Sequence, residues 1–199
     1  AAILGVMAGP SSTSAADSQT ESTELDPDSI IELTSGNSSF QTNIFEFDQD
    51  QAWLVDNVDY LFTDLYFLNF GRDPGQKELI LRELDLISLT KPAENRLLAD
   101  LSFSQANLRF SLDLTLYGSD TGSNASQRED IVTFYNTGNE AINVTLIQYL
   151  DFDLILDGSF DNDTLSFRDN TLVQTDASGT TATLTVDKTP TAVEFSEYP

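Results

Sequence analysis

The chain has 199 residues, enough for one substantial domain, and 40% of them are apolar, which rules out wholesale disorder. It carries 33 acids, 9 bases and a net charge of −24, with no base before Arg72. Nucleic acid and anionic membrane surfaces need a basic patch and are poor partners; cations and neutral polymers such as exopolysaccharide are the better fit. Cysteine and histidine are both absent. That removes thiolate chemistry, disulfides, the Ser-His-Asp triad and the commonest transition-metal ligand. Carboxylates, tyrosines, hydroxyls and a few Lys/Arg remain for any chemistry.

In chain order, residues 1–9 are small, apolar and uncharged, and "SSTSAAD" follows. Ser14 and Ala16 form the small −3/−1 pair of a signal-peptidase site, so 1–16 reads as the remnant of a secretory signal peptide. The apolar part is too short for a membrane span. Residues 17–28 are rich in Ser, Thr, Asp and Glu and read as an acidic, disordered lead. Residues 29–199 then read as one domain of roughly ten short strands, an all-β antiparallel β-sandwich. Short apolar or alternating runs mark strands at 29–34, 39–47, 78–89, 96–103, 130–136, 164–167, 171–175 and 181–186. The stretch "AWLVDNVDYLFTDLYFLNF" (52–70) has apolar residues on both faces of a strand and also at helical spacing; it reads as a buried strand with a helical turn. The clearest strand is "ANLRFSLDLTLY", where Leu108, Phe110, Leu112, Leu114 and Leu116 share one face. In "INVTLIQYLDFDL" the even positions 142–154 are apolar except Gln148. "GRDPGQ", "GSDTGSNAS", "NTGNEA" and "DASGT" supply the turns. The ending "VEFSEYP" has no tail pattern, which fits a truncated C-terminus.

The stretch "IQYLDFDLILDGSFDND" (147–163) concentrates the candidate chemistry. Asp151 and Asp153 share a strand face beside Tyr149, about 7 Å apart, while Asp157, Asp161 and Asp163 belong to the turn that follows. Three readings fit. The turn can fold back so that these oxygens converge on Ca²⁺, which takes six to eight hard oxygens, although the EF-hand order is missing. Asp151 and Asp153 can be an inverting glycosidase pair, since their separation lies in the range for one. Or the acids are a solvated sheet face and turn that discourage edge-to-edge aggregation, which is the default. For a sugar ligand, Trp53, Tyr117 and Tyr149 are the candidate stacking rings, because aromatic rings pack on the apolar face of a sugar; core packing is the competing reading for Trp53.

Several phrases occur together in order: "WLVDNVDYLF" (53–62), "YFLNFG" ending at Gly71, "LYGSDTGSNAS" (116–126), "TFYNTGNEAINVTLIQYLDFDL" (133–154), "DNDTL" (161–165) and "TP" (189–190). In these the chain resembles a group of exported bacterial proteins of cyanobacteria and related environmental bacteria, some of which carry a C-terminal PEP-CTERM sorting tail. Their aromatic run ends in an Arg-x-Gly-like turn; here it ends "NFGRD", with the base after the glycine. The resemblance implies export, a β-rich fold and a cell-surface location, and it implies no activity and no catalytic residues.

The expectation is therefore a secreted or cell-surface, non-enzymatic β-sandwich that contacts exopolysaccharide and binds calcium. The alternative is a carbohydrate-active enzyme, a glycosidase or lyase, using a carboxylate pair.

Overall fold

The structure, a computed structural model, describes residues 2–7, 23–43, 51–70, 78–154 and 163–195, with the backbone alone for 2–7 and for Thr23. The chain is all-β, with four antiparallel sheets, consistent with a β-sandwich. Its strands are β1 (Ala2–Met7), β2 (Thr23–Glu24), β3 (Ile31–Ser35), β4 (Ser38–Thr42), β5 (Ala52–Val55), β6 (Val58–Asp59), β7 (Leu61–Asn69), β8 (Leu79–Ile80) and β9 (Asp85–Ala93). They continue with β10 (Arg96–Phe103), β11 (Leu108–Gly118), β12 (Ser126–Asn136), β13 (Thr145–Phe152), β14 (Thr164–Arg168), β15 (Thr171–Thr175), β16 (Thr181–Thr185) and β17 (Ala192–Phe195).

Strand order is β12-β11-β10-β9-β2 in one sheet, β17-β1-β13-β7-β8 in a second, β3-β4-β5-β6 in a third and β14-β15-β16 in a fourth. The first three meet in one apolar core. Leu89, Leu97, Ala99, Leu101, Phe110, Leu112, Leu114 and Leu116 enter it from the first sheet. Leu61, Tyr66, Leu68, Leu150 and Phe152 enter from the second, and Ile31, Leu33 and Phe40 from the third. The alternation in β11 has the expected sense: Leu108, Phe110, Leu112, Leu114 and Leu116 are all buried. Each such side chain contributes roughly 1.5–3 kcal/mol relative to exposure.

The helical turn expected within 52–70 is absent. Asp56 (φ 50°) and Asn57 (φ 67°) both take the left-handed conformation. They make a two-residue turn between β5 and β6, with Val55 opposite Val58. Positive φ at both central residues is the signature of the type I′ hairpin, whose twist matches that of the flanking strands. Asp169 (φ 51°) and Asn170 (φ 63°) do the same between β14 and β15. The same dipeptide solves the same problem twice, because Asp and Asn tolerate the left-handed region better than other side chains.

Residues 2–7, read from the sequence as part of an export signal, pair as β1 between β13 and β17. Residues 8–22, including the candidate cleavage position after Ala16, lie outside the described residues, as do 44–47 and the "GRDPGQ" turn. Of the lead expected to be unstructured over 17–28, the described part is held instead: β2 pairs with β9. Leu25 N donates to Leu89 O at 2.9 Å, and its side chain packs on the core.

One end of the sandwich is closed by a clasp of three loops. Asp56 accepts from Asn37 Nδ2 (2.9 Å), Gly122 N (2.6 Å) and Asn124 N (2.8 Å). Asn37 Oδ1 accepts from Ser119 N at 2.8 Å. Three donors hold the Asp56 carboxyl below the usual carboxylate range, Gly122 N first among them. The loops can approach because Gly118 lacks a Cβ, which would stand 1.7 Å from Ser35 O.

Candidate functional site

The acidic strand lies at the middle of the second sheet. Along β13 and its exit, Gln148, Leu150, Phe152 and Leu154 are buried. Tyr149, Asp151 and Asp153 take the opposite face and are half-buried. Burial raises the Asp151 carboxyl above its ordinary value, and Asp163 adds to this. Burial also raises Asp153, with Asp151, Asp59 and Asp163 adding repulsion in that order.

Asp163 comes back to the end of β13. Gln174 Nε2, on β15, donates both to Phe152 O (2.8 Å) and to Asp163 Oδ2 (2.6 Å). The other oxygen, Asp163 Oδ1, is buried without a hydrogen-bond partner among the described residues. The chain therefore does return to the strand, tied through one glutamine. Asp157 and Asp161 lie outside the described residues. Among the described residues, no three His, Cys, Asp or Glu stand close enough together to hold a metal ion. Asp151 and Asp153 remain neighbours on one strand face, which is not an arrangement that flanks a bond from two sides.

The three aromatic candidates occupy three separate places. Trp53 packs against the core, edge-on to Phe40 (6.3 Å) and tilted to Phe152 (6.4 Å). Its Nε1 donates to Ser38 Oγ and Ser126 Oγ, both at 3.1 Å. Tyr149 sits on the outer face of the second sheet, opposite Leu65 on β7. Tyr117 is 45% exposed on the outer face of the first sheet, where its hydroxyl donates to Glu129 Oε2 at 3.2 Å.

That outer face has more on it than Tyr117. Ile131 and Tyr135, both 51% exposed, stand on the same side of β12. Along β12 the cross-strand neighbours are Gln127 for Tyr117, Asp113 for Ile131 and Arg109 for Tyr135. Tyr117 and Tyr135 thus mark the two ends of a strand face, about 27 Å apart at 3.4 Å per residue. Between them Arg96 forms a two-pronged pair with Asp113 (2.9 and 2.7 Å), and Arg109 pairs with Asp100 at 2.9 Å. Each outward arginine is matched to an aspartate, while Glu129, outward on β12 opposite Thr115, adds an acid that no arginine among the described residues matches.

Sequence reasoning missed the charged cluster inside the sandwich. Arg128 on β12 has its side chain 5% exposed and pairs with Asp64 of β7 (4% exposed) and Asp130 (16% exposed). Tyr66 donates to Asp130, and Gln148 Nε2 donates to Asp64 Oδ1 (2.9 Å) and Tyr66 Oη (3.2 Å). The guanidinium lies 4.5 Å from the Phe40 ring centroid and 5.6 Å from that of Trp53, and its Nη1 has no hydrogen-bond partner among the described residues. Burial raises the Asp64 carboxyl, opposed by Arg128 and reinforced by Asp130. Burial likewise pushes the Tyr66 hydroxyl well up. Two signals pointed here: Gln148 breaking an apolar row, and Arg128 and Asp130 alternating with outward residues just before "IVTFY". Starting the strand at residue 130 hid the arginine.

No family model matches the chain, and neither a curated protein nor a solved structure matches it.

Proposed function

We propose that the protein is a secreted or cell-surface, non-enzymatic β-sandwich that contacts a neutral polymer such as exopolysaccharide through the outer face of the β12–β2 sheet. The carrying observation is the face itself: exposed Tyr117, Ile131 and Tyr135 share it, and its two arginines are both ion-paired. Tyrosine rings stack on the apolar faces of sugars while paired side chains and threonines offer hydrogen bonds, and among the described residues both arginines of the face are already ion-paired rather than free for an anionic partner. The resemblance to exported bacterial proteins supports the location. Retention of the protein on a panel of soluble neutral polysaccharides in affinity electrophoresis tests this. Tyr117→Ala and Tyr135→Ala should each weaken binding roughly fivefold, the equivalent of about 1 kcal/mol per stacked ring. No retention on any polymer, or retention indifferent to both substitutions, overturns the reading. Release of reducing ends or unsaturated products from the same panel would favour the carbohydrate-active alternative.

Calcium is proposed at the exit of β13, where Asp151 and Asp163 add repulsion at Asp153 and Asp163 Oδ1 is buried without a donor among the described residues, although these three carboxylates do not by themselves make a metal group. A cation would relieve both, and Asp157 and Asp161 are the further oxygens available in the sequence. A site that binds only the folded chain raises the melting temperature as Ca²⁺ rises, by about 2.7 kcal/mol of stability at a hundredfold excess over Kd. An unchanged melting temperature at millimolar calcium removes calcium from the proposal and leaves the polysaccharide reading standing.

A further inference from the structure

We propose that the free side of β12 pairs with β12 of a second copy of this chain, antiparallel and two-fold symmetric about Ile131. β12 runs for 11 residues and pairs with β11 along its whole length. It ends its sheet, and among the described residues nothing pairs with its other side. A long uncovered edge offers a row of main-chain donors and acceptors to any other strand, and monomeric proteins usually guard such edges with lysine, proline or a covering segment. β12, "SQREDIVTFYN", has neither lysine nor proline. Its inward charges do not guard it, because Arg128 and Asp130 are already matched to Asp64 and Tyr66 inside the sandwich.

What favours a second copy over some other strand is the register. Ile131 is the central residue of Ser126–Asn136. A two-fold axis there uses the whole strand and sets Ile131 against its own copy. On the outward face Glu129 then meets Thr133 and Gln127 meets Tyr135. On the inward face Asp130 meets Val132 and Arg128 meets Phe134. No two like charges stand opposite each other, which is what a self-complementary isologous contact requires. The two apolar outward residues, Ile131 and Tyr135, are each 51% exposed in the single chain and gain cover in the pair. Two five-stranded sheets become one continuous sheet, so the tyrosine-bearing face is doubled; the pairing itself does not depend on any polysaccharide. Two chains of net charge −24 repel at long range, so association should strengthen with salt as screening shortens the reach of that repulsion.

The chain has no cysteine, which makes a cross-linking test clean. Residues directly opposite in an antiparallel pair have Cα atoms about 4.5–5.5 Å apart, within disulfide reach. Ile131→Cys should therefore form a disulfide-linked dimer under mild oxidation. Thr133→Cys lies on the same outward face, but its two copies would be offset by four residues, about 14 Å, and should stay reduced. In parallel, light scattering at raised salt should give the unmodified protein twice the 21.9 kDa chain mass, and Ile131→Lys should return it to the single-chain mass with its melting temperature at low concentration unchanged. A single-chain mass at high salt, a dimer that survives Ile131→Lys, or equal cross-linking of the two cysteine variants overturns the proposal.

Discussion

Gln148 Nε2 donates to Asp64 Oδ1 at 2.9 Å in the interior of the sandwich. Gln148 faces Tyr66, and Asp64 faces Leu150, across the β13–β7 pair. The two are diagonal neighbours on the inward side, within reach of a long side chain. The one polar residue in the apolar row of β13 is thus the donor that a buried carboxylate on the next strand needs. Gln148→Leu restores the apolar row and still destabilises, by about 1–3 kcal/mol, because Asp64 Oδ1 loses its donor away from water. The urea midpoint checks this; an unchanged or raised midpoint would mean that Asp64 finds another donor.

Among the described residues, Arg128 is the only cation in the cluster it forms with Asp64, Asp130, Tyr66 and Gln148. Arg128→Met leaves its two carboxylates facing each other in the interior and should cost about 3–5 kcal/mol. Adding Asp64→Leu to Arg128→Met should recover part of that loss, since no unpaired charge then remains at 64. Chemical denaturation of the single and double variants measures the difference. Equal stabilities would show that the cost lies in lost packing of the guanidinium on Phe40 and not in charge.

Asp64, Asp151 and Asp153 all have carboxyls raised by burial above the ordinary 3.8. The folded chain then holds these protons more tightly than the unfolded chain. Their stabilisation is fully present below 3.8 and is lost as pH rises through the raised native values. Asp56 and Asp176 are lowered by hydrogen bonds, from Gly122 N first and Ser178 first. Their contribution is present above 3.8 and is lost as pH falls through the lowered values. The melting temperature should accordingly peak on the mildly acid side and decline toward neutrality in metal-free buffer. Asp153→Asn should raise the neutral melting temperature and flatten that decline; a profile identical to the unmodified protein would show that repulsion at 153 is fully screened.

Asp56→Ala should release the clasp at the end of the sandwich. The amides of Gly122 and Asn124, which donate to Asp56, should exchange with deuterium much faster. The amide of Asn37, which donates to Ser119 O, should change less. Unchanged exchange at Gly122 and Asn124 would mean that the 119–125 loop is held by its own turn.

Reading the fold from sequence succeeded where the signal is local. The run 96–103 coincides with β10 and 171–175 with β15, and the inward face of β13 has the expected residues. At 52–70 it gave the strand, present as β5 and β7, but apolar residues on both sides of the chain imitated a helical turn where the Asp-Asn dipeptide forces a hairpin. It also missed the strand half that carries Arg128, because charged residues there look like a loop until a partner is seen across the interior.

By itself, the sequence determined the class of the fold, the facing of its clearest strands and the absence of histidine and thiol chemistry. Period-2 alternation and composition are properties of a segment alone. Only the tertiary structure decided that Trp53 belongs to the core, that Asp163 returns to the exit of β13 through Gln174, and that Tyr117 shares a face with Ile131 and Tyr135. Each of these depends on which strands lie side by side. Non-local pairing and the satisfaction of buried polar groups are set by the whole chain, so no single stretch of residues carries them.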